Sequence, residues 1–204
     1  MADVKVSVIY YSATGSVHAL AEQAVEAAEK AGAEVRLRKV HELAPQEAIA
    51  SNEGWSAHVK QTESVQEATA DDVVWADAVI FGTPTRYGNV AAQLKQFFDT
   101  LGPHWGAGQL ADKVYTGFVS TGTNHGGQES TLVALYNSVY HFGGIIVPPG
   151  YTDPSKFVDG NPYGASHISN NGENPPQEVD LTAVAYSATR AVQVAARLKA
   201  GASI

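Results

Sequence analysis

The 204-residue chain contains no cysteine. Disulfides, thiolate nucleophiles, zinc–thiolate centres and iron–sulfur clusters are thereby excluded, and any redox chemistry has to be carried by a bound cofactor. Positive charge is also scarce: 13 Lys and Arg stand against 21 Asp and Glu, a formal net charge of -8, and no basic cluster occurs. Proteins that bind nucleic acid draw most of their affinity from cations set against phosphates, so no nucleic acid partner is expected. No apolar run approaches bilayer length, so no membrane insertion is expected. Met1 to Val6 run straight into a strand pattern, without the basic stretch, apolar core and cleavage site of an export signal. A cytoplasmic protein is the expectation. His18, His41, His58, His104, His125 and His167 form no ligand-spaced cluster, so no metal site is expected either.

Hydrophobic residues make up 44% of the chain, enough for a packed core. The length suits one α/β domain over residues 1–204. Val4 to Tyr11 is an apolar, β-branched run typical of a parallel strand covered on both faces. Val17, Leu20, Ala21, Ala24, Val25 and Ala28 then fall on one helical stripe, with Gly32 placed to end it. Glu34 to Val40 reads as a second strand. Residues 41–70 read as a polar surface excursion, returning through a short helix near Asp71 to Trp75. The third strand is Ala78 to Phe81, ending at Gly82, and Asn89 is placed to cap the helix carrying Val90, Leu94, Phe97, Phe98 and Leu101. Val114 to Ser120 is a fourth strand. Leu132, Leu135, Tyr136 and Val139 mark another helix, and Ile145 to Val147 a short fifth strand. Residues 148–178 form a long loop rich in Pro, Gly, Asn and Ser, of a kind that covers a site or an interface. A last helix spans about Val179 to Lys199. Five strands alternating with helices give a five-stranded parallel sheet with helices on both faces, and ligands then bind beyond the strands' carboxyl ends.

Three loops sit at that edge. Ser12-Ala13-Thr14-Gly15-Ser16-Val17 lies between a strand and a helix N-terminus, where backbone N–H groups and three hydroxyls suit a phosphate. It has no Lys for a Walker loop and no Gly-x-Gly-x-x-Gly spacing, which leaves a single phosphate monoester such as that of FMN. An ordinary turn with a helix cap fits equally well on this loop alone. In the second loop, Gly82-Thr83-Pro84-Thr85-Arg86-Tyr87-Gly88-Asn89, backbone groups of Thr85 to Tyr87 suit a flavin's pyrimidine edge and Pro84 stiffens the path. Gly88 and Asn89 present further donors. Arg86 suits negative charge on a reduced flavin or a nicotinamide phosphate. Tyr87 taken alone reads as core packing; the loop as a whole reads as functional. The third, Ser120-Thr121-Gly122-Thr123-Asn124-His125-Gly126-Gly127-Gln128-Glu129, has the glycines for close approach to a planar ligand. Trp105, in a Gly/Pro-rich loop, reads as the wall of a stacking slot. His141, from its spacing alone, reads as a cation at a helix C-terminus.

Gly82-Thr-Pro-Thr-Arg-Tyr-Gly-Asn89, Ser120-Thr-Gly-Thr123, Gly126-Gly-Gln-Glu129, Val147-Pro-Pro-Gly-Tyr151 and Asn161-Pro-Tyr-Gly-Ala165 resemble the WrbA family of NAD(P)H:quinone oxidoreductases over essentially the whole chain. The resemblance implies a flavodoxin-like fold, one FMN per subunit, NAD(P)H and quinone as substrates, and a homotetramer with sites near subunit interfaces. By position it places Ser12 to Val17 on the FMN phosphate, Thr85, Arg86 and Tyr87 along the isoalloxazine, and Ser120 to Gly126 along its other edge. It makes Trp105 a substrate-stacking residue and His141 a cofactor-side histidine. Two features depart from the pattern. Thr14 stands where some members carry a Tyr linked to nicotinamide binding, and Asn124-His125 interrupts what is elsewhere a shorter glycine run. The expected reaction is a two-electron, ping-pong exchange between NAD(P)H and a quinone. The alternatives are a flavodoxin-type one-electron carrier and a regulatory binding protein.

Overall fold

The computed structural model of the chain describes residues 4–201. Its first half runs β1 (Val4–Tyr10), α1 (Ser16–Lys30), β2 (Ala33–Lys39), α2 (Gln46–Ala50), α3 (Glu53–Gln61), α4 (Ala70–Trp75) and β3 (Ala78–Pro84). There follow α5 (Ala92–Thr100), α6 (Gly102–Gly106), β4 (Val114–Thr121), α7 (Gln128–Phe142) and β5 (Ile145–Ile146). The chain ends with α8 (Lys156–Asp159), β6 (Ala165–Ile168), a 3₁₀ turn (Asn170–Gly172) and α9 (Glu178–Gly201).

Side-chain alternation with period two builds a sheet with two covered faces. Val6, Val8, Ala78, Ile80 and Phe118 turn to one face, where α1 and α9 pack through Leu20, Ala24, Ala28, Val184, Ala188 and Ala191. Ile9, Val79, Phe81, Tyr115 and Val119 turn to the other, against Leu94, Phe97 and Phe98 of α5 and Leu132, Leu135 and Val139 of α7. Every pairing is parallel, in the order β2-β1-β3-β4-β5. The chain leaves β1 toward β2 on one side and returns to β3 on the other. That reversal opens a crevice beyond the carboxyl ends of β1 and β3.

The fifth strand position is filled in two pieces. β5 pairs with Val114 and Tyr115 at the start of β4, whereas β6 pairs with Phe118 to Thr121 at its end. The sheet therefore has six strands rather than five, and β6 lies inside the stretch read from sequence as loop. Its four residues, Ala165-Ser-His-Ile168, are too short and too mixed to stand out among the surrounding Gly, Pro and Asn. Lys156, fully buried, fastens the inserted segment by donating to the Asp159 carboxylate (2.5 Å) and the Gly164 carbonyl (3.0 Å).

Two other expectations are corrected. β3 continues past Gly82 to Pro84, because Thr83 and Pro84 still pair with Val119 and Ser120. Asn89 does not cap α5, which begins after Ala91; the Asn89 carboxamide accepts from the Val90 N–H, and Thr83 Oγ1 accepts from the Ala91 N–H. The polar stretch 41–70 also holds two helices, α2 and α3, the latter capped by Asn52 Oδ1 on the Trp55 N–H at 3.0 Å.

A Cβ added at Gly164 would lie 2.3 Å from the Gly117 carbonyl oxygen. Gly164→Ala is expected to push β6 off β4 at a cost of about 1–3 kcal/mol, measurable by urea unfolding; an unchanged midpoint contradicts the close approach. The Asp72 carboxylate, buried at the start of α4, accepts from the Thr69 N–H and hydroxyl and from Arg36 and Arg38. Burial pushes its pKa up, but those donors outweigh burial and hold it below the usual carboxylate range. Such a group adds stability above its unfolded-state pKa and loses it as pH falls through the folded value. Asp72→Asn is expected to cost about 1–3 kcal/mol at neutral pH, with the difference shrinking below about pH 4. A pH-independent difference contradicts the ion-pair origin.

Candidate functional site

All three loops meet at the crevice. They line a cleft of about 320 Å³ together with two segments that the sequence did not mark, Asn52 with Trp55 and Ser169 with Asn171 and Gly172. A larger hollow of about 530 Å³ lies at the opposite end of the sheet, among Asp77, Lys113 and Lys199. It faces the amino ends of β3, β4 and β5, where none of the three loops reaches.

Ser12, Ala13, Thr14, Ser16 and Val17 line the cleft. Gly15 sits at φ 102° as the residue before α1, a conformation that L side chains rarely adopt. Its N–H donates to Ser12 Oγ at 3.1 Å, which folds the loop back on itself. No side chain caps α1 and no acidic residue occupies its first turn. The first amides of the helix are therefore left for a ligand, at the positive end of the helix dipole.

In the second loop Pro84, Thr85 and Arg86 line the cleft. Arg86 and Asn89 exchange backbone hydrogen bonds (2.8 and 3.1 Å) around a two-residue turn in which Tyr87 and Gly88 both have positive φ, 55° and 76°. That turn throws the Tyr87 side chain into solvent, 106% exposed, so Tyr87 is not a core residue. The Thr85 N–H is fixed by the Ser120 carbonyl (2.9 Å) and its hydroxyl by Thr131 (2.8 Å).

Ser120, Thr121 and Gly122 complete the lining from the third loop, while Thr123, Asn124 and His125 are exposed beside it. Gly126 and Gly127 have a local reason to be glycine. A Cβ at Gly126 would lie 3.0 Å from the Thr123 carbonyl oxygen, and one at Gly127 would lie 2.9 Å from the Gly88 Cα. Gly126 thus lets the third loop fold on itself, and Gly127 lets loops two and three pack backbone to backbone.

Trp105 and His141 lie elsewhere. The Trp105 indole donates to the His141 carbonyl at 2.6 Å, and both side chains are exposed. α7 begins at the cleft and His141 stands near its other end, about 20 Å away at 1.5 Å per residue. One copy of the chain does not bring either residue to its own cleft.

The unmarked residues are held by side-chain networks with long sequence separation. The Glu42 carboxylate accepts from the Tyr11 hydroxyl (2.9 Å), the Trp55 indole (3.1 Å), the Gln93 amide (2.8 Å) and the Ala44 N–H (3.0 Å). Burial pushes its pKa up, yet the four donors together keep it below the usual carboxylate range, so Glu42 is a fixed anion that sets Trp55 over the cleft. Across from it, buried His167 bridges Asp180 (2.9 Å) and the Asn174 carbonyl (3.0 Å), and Ser169 bonds Thr121 through both N–H and hydroxyl. Asn171 and Gly172 are thereby held against the first and third loops, 3.7 Å separating Thr14 Oγ1 from a Cβ placed on Gly172. Only the Asn52 cap was legible locally. Among the described residues no three His, Cys, Asp or Glu side chains gather as metal ligands would, and no helix is long and apolar enough to cross a membrane.

The profile of the NADPH-dependent FMN reductase family matches residues 4–156. A protein of Deinococcus radiodurans named NAD(P)H dehydrogenase (quinone) is 43% identical over 198 residues, 97% of this chain and 98% of that one. One of the same name from Geotalea uraniireducens is 39% identical over 202 residues, 96% and 99% of the two chains. Among solved structures, a WrbA-like flavodoxin from Agrobacterium tumefaciens superposes with a TM-score of 0.66 at 26% identity, covering 96% of this chain and 99% of that one. A flavodoxin of Megasphaera elsdenii, 19% identical with a TM-score of 0.55 over 91% of this chain and 98% of its own, shares the fold. With a flavodoxin-like sheet, this cleft and near full-length relatives, the chain belongs to the WrbA-type NAD(P)H dehydrogenase (quinone) group of the FMN reductase family.

Proposed function

We propose that the chain holds one FMN in this cleft and moves two electrons from NAD(P)H to a quinone, the two substrates using one site in turn. The observation that carries this reading is the uncapped N-terminus of α1 behind the Gly15 turn, opening onto a cleft built by three backbone-rich loops. The family and the printed names of the relatives support the same activity.

The residues present fit the group. The amides of Ser16, Val17 and His18, with the hydroxyls of Ser12, Thr14 and Ser16, suit a phosphate monoester. In the second loop the N–H groups of Thr85, Arg86, Gly88 and Asn89 are taken within the protein, by the Ser120 carbonyl, the Asn89 carbonyl, the Thr85 hydroxyl and the Arg86 carbonyl. Gly88 and Asn89 are therefore not free donors, and the Tyr87 N–H is the one left for the pyrimidine edge of the flavin. Ser120 to Gly126 lie along its other edge. Among the described residues Arg86 is the one cationic side chain lining the cleft, and it sits where it can hold negative charge. FMN, when bound, supplies the two-electron redox chemistry. The chain's part is to orient substrate and keep water from the reacting face. Trp55, pinned by Glu42, covers the Thr14 side and narrows the opening that a one-electron carrier needs for protein partners.

The assembly proposed is a homotetramer, in which a neighbouring copy completes the site with Trp105 and His141. Tyr140, Tyr151, Phe157 and Val158 are exposed on α7 and the inserted segment, an apolar surface available for such contacts. A cytoplasmic location fits a soluble nicotinamide substrate.

Anaerobic mixing of the flavin-loaded protein with NADH or NADPH is expected to bleach the flavin directly; a spectrum that changes only with a reductase present favours the carrier. Initial rates over a grid of nicotinamide and quinone concentrations are expected to give parallel double-reciprocal lines. Intersecting lines contradict the shared-site exchange.

A further inference from the structure

A phosphate monoester carries close to two negative charges at neutral pH. Ser12 to Val17 contain no Lys or Arg to meet them. On the far side of that loop lies a second cavity, of about 150 Å³, which shares Ser12 with the cleft and is lined also by Tyr10, Lys39 and His58. His58, from α3, is 4% exposed, and its Nδ1 has no hydrogen-bond partner. That nitrogen stands 3.6 Å from the position of a Cβ on Gly15. His18, in the first turn of α1 and 6% exposed, lies between it and β1. Its ring stacks on Tyr10 with centroids 5.2 Å apart and meets the His58 ring at 5.3 Å. The Tyr10 hydroxyl is buried and unpartnered as well. Two orphaned polar atoms behind one ligand loop are uncommon, because each forgoes water without a replacement.

The charges around the pair come from every neighbouring element. His18 and Glu22 stand on α1, with Glu22 3.8 Å from His18, and Lys39 on β2 donates to the Thr62 carbonyl at 2.6 Å. Tyr10, Tyr11, Glu42 and Glu67 line the same cavity, and Gln61, one turn along α3, is near enough to the His58 ring to favour its charged form. Burial and then the His18 charge lower His58 to about 4, and burial lowers His18 too. Without an anion on the loop, the His58 ring is neutral near pH 6.

We propose that His58, with His18 behind it, takes a proton from solvent when the phosphate docks on Ser12 to Val17, so that an imidazolium beneath the loop supplies the counter-charge. The proposal rests on the placement of the FMN phosphate at that loop. No bond other than the new N–H forms: neutral imidazole plus one proton gives imidazolium. An opposite charge nearby raises a pKa by about 1–3 units, enough to carry His58 across the range in which it was neutral. His58 is then a positioning residue for the cofactor, and it discriminates a phosphorylated flavin from an uncharged one.

Calorimetry of the flavin-free protein at pH 6, in buffers of different protonation enthalpy, counts protons exchanged on binding. With FMN, the unmodified protein is expected to take up on the order of half a proton more than His58→Gln. The phosphate's own proton loss, which an imidazolium beneath it increases, is read from the pH dependence of the phosphorus signal in each complex and subtracted. With riboflavin the two proteins are expected to exchange protons equally. If His58→Gln binds FMN with the same proton count as the parent, the proposal is overturned while FMN binding stands. Histidine ring signals of the unmodified protein, titrated with and without FMN, decide the matter should that variant not fold. Midpoints that rise with FMN but not with riboflavin support the proposal, and midpoints unchanged at all seven histidines overturn it. Failure to bind FMN at all overturns the placement on which it rests.

Discussion

The first amides of α1 point into a cleft with no side chain to accept from them. Gly15, at φ 102°, turns the chain from the end of β1 into the helix so tightly that its own N–H is taken by Ser12 Oγ, and no carboxylate follows in the first turn. A helix start without a cap is unfavourable unless something else accepts those hydrogen bonds, and an anion does so with the added benefit of the helix dipole. The other walls of the cleft are arranged around that opening. The Arg86–Asn89 turn, the Gly88–Gly127 contact and the Ser169–Thr121 bonds each fix a backbone segment at a set distance from it.

The place of the three loops at one edge of the sheet was legible in the sequence because each follows a strand whose pattern is plain. Val4 to Tyr11, Ala78 to Phe81 and Val114 to Ser120 are continuous apolar runs, and the position of a loop at the end of a parallel strand follows from topology alone. What stayed hidden depends on long-range side-chain contacts. Trp55 reaches the cleft because Glu42 accepts its indole N–H while also holding Tyr11 and Gln93, residues 31 and 51 positions from Glu42. Asn171 and Gly172 reach it because β6 adds to the upper half of β4 and His167 ties the following turn to α9. No local periodicity announces either. The outward path of Tyr87 is hidden for a related reason: the composition of its loop does not disclose that the turn puts φ > 0 at two successive residues and so turns the ring away from the core.

Division of the fifth strand position has a structural consequence for the site. β5 closes the sheet near the amino ends, whereas β6 closes it beside Ser120 and Thr121. The intervening segment is thereby projected outward with Tyr151, Phe157 and Val158 exposed, anchored by the buried Lys156–Asp159 pair. The third-loop wall and this apolar projection come from one insertion. Trp105 and His141, at the far end of α7, lie too distant to serve their own cleft.

Affinities for FMN and riboflavin, measured side by side on the flavin-free protein, probe the uncapped helix start most directly, since the two ligands differ only in the phosphate. Two charge-assisted hydrogen bonds to the α1 amides correspond to a preference for FMN of at least about a hundredfold. Equal affinities would mean that the Ser12–Val17 loop holds no phosphate, and that the cleft grips its ligand by some other part.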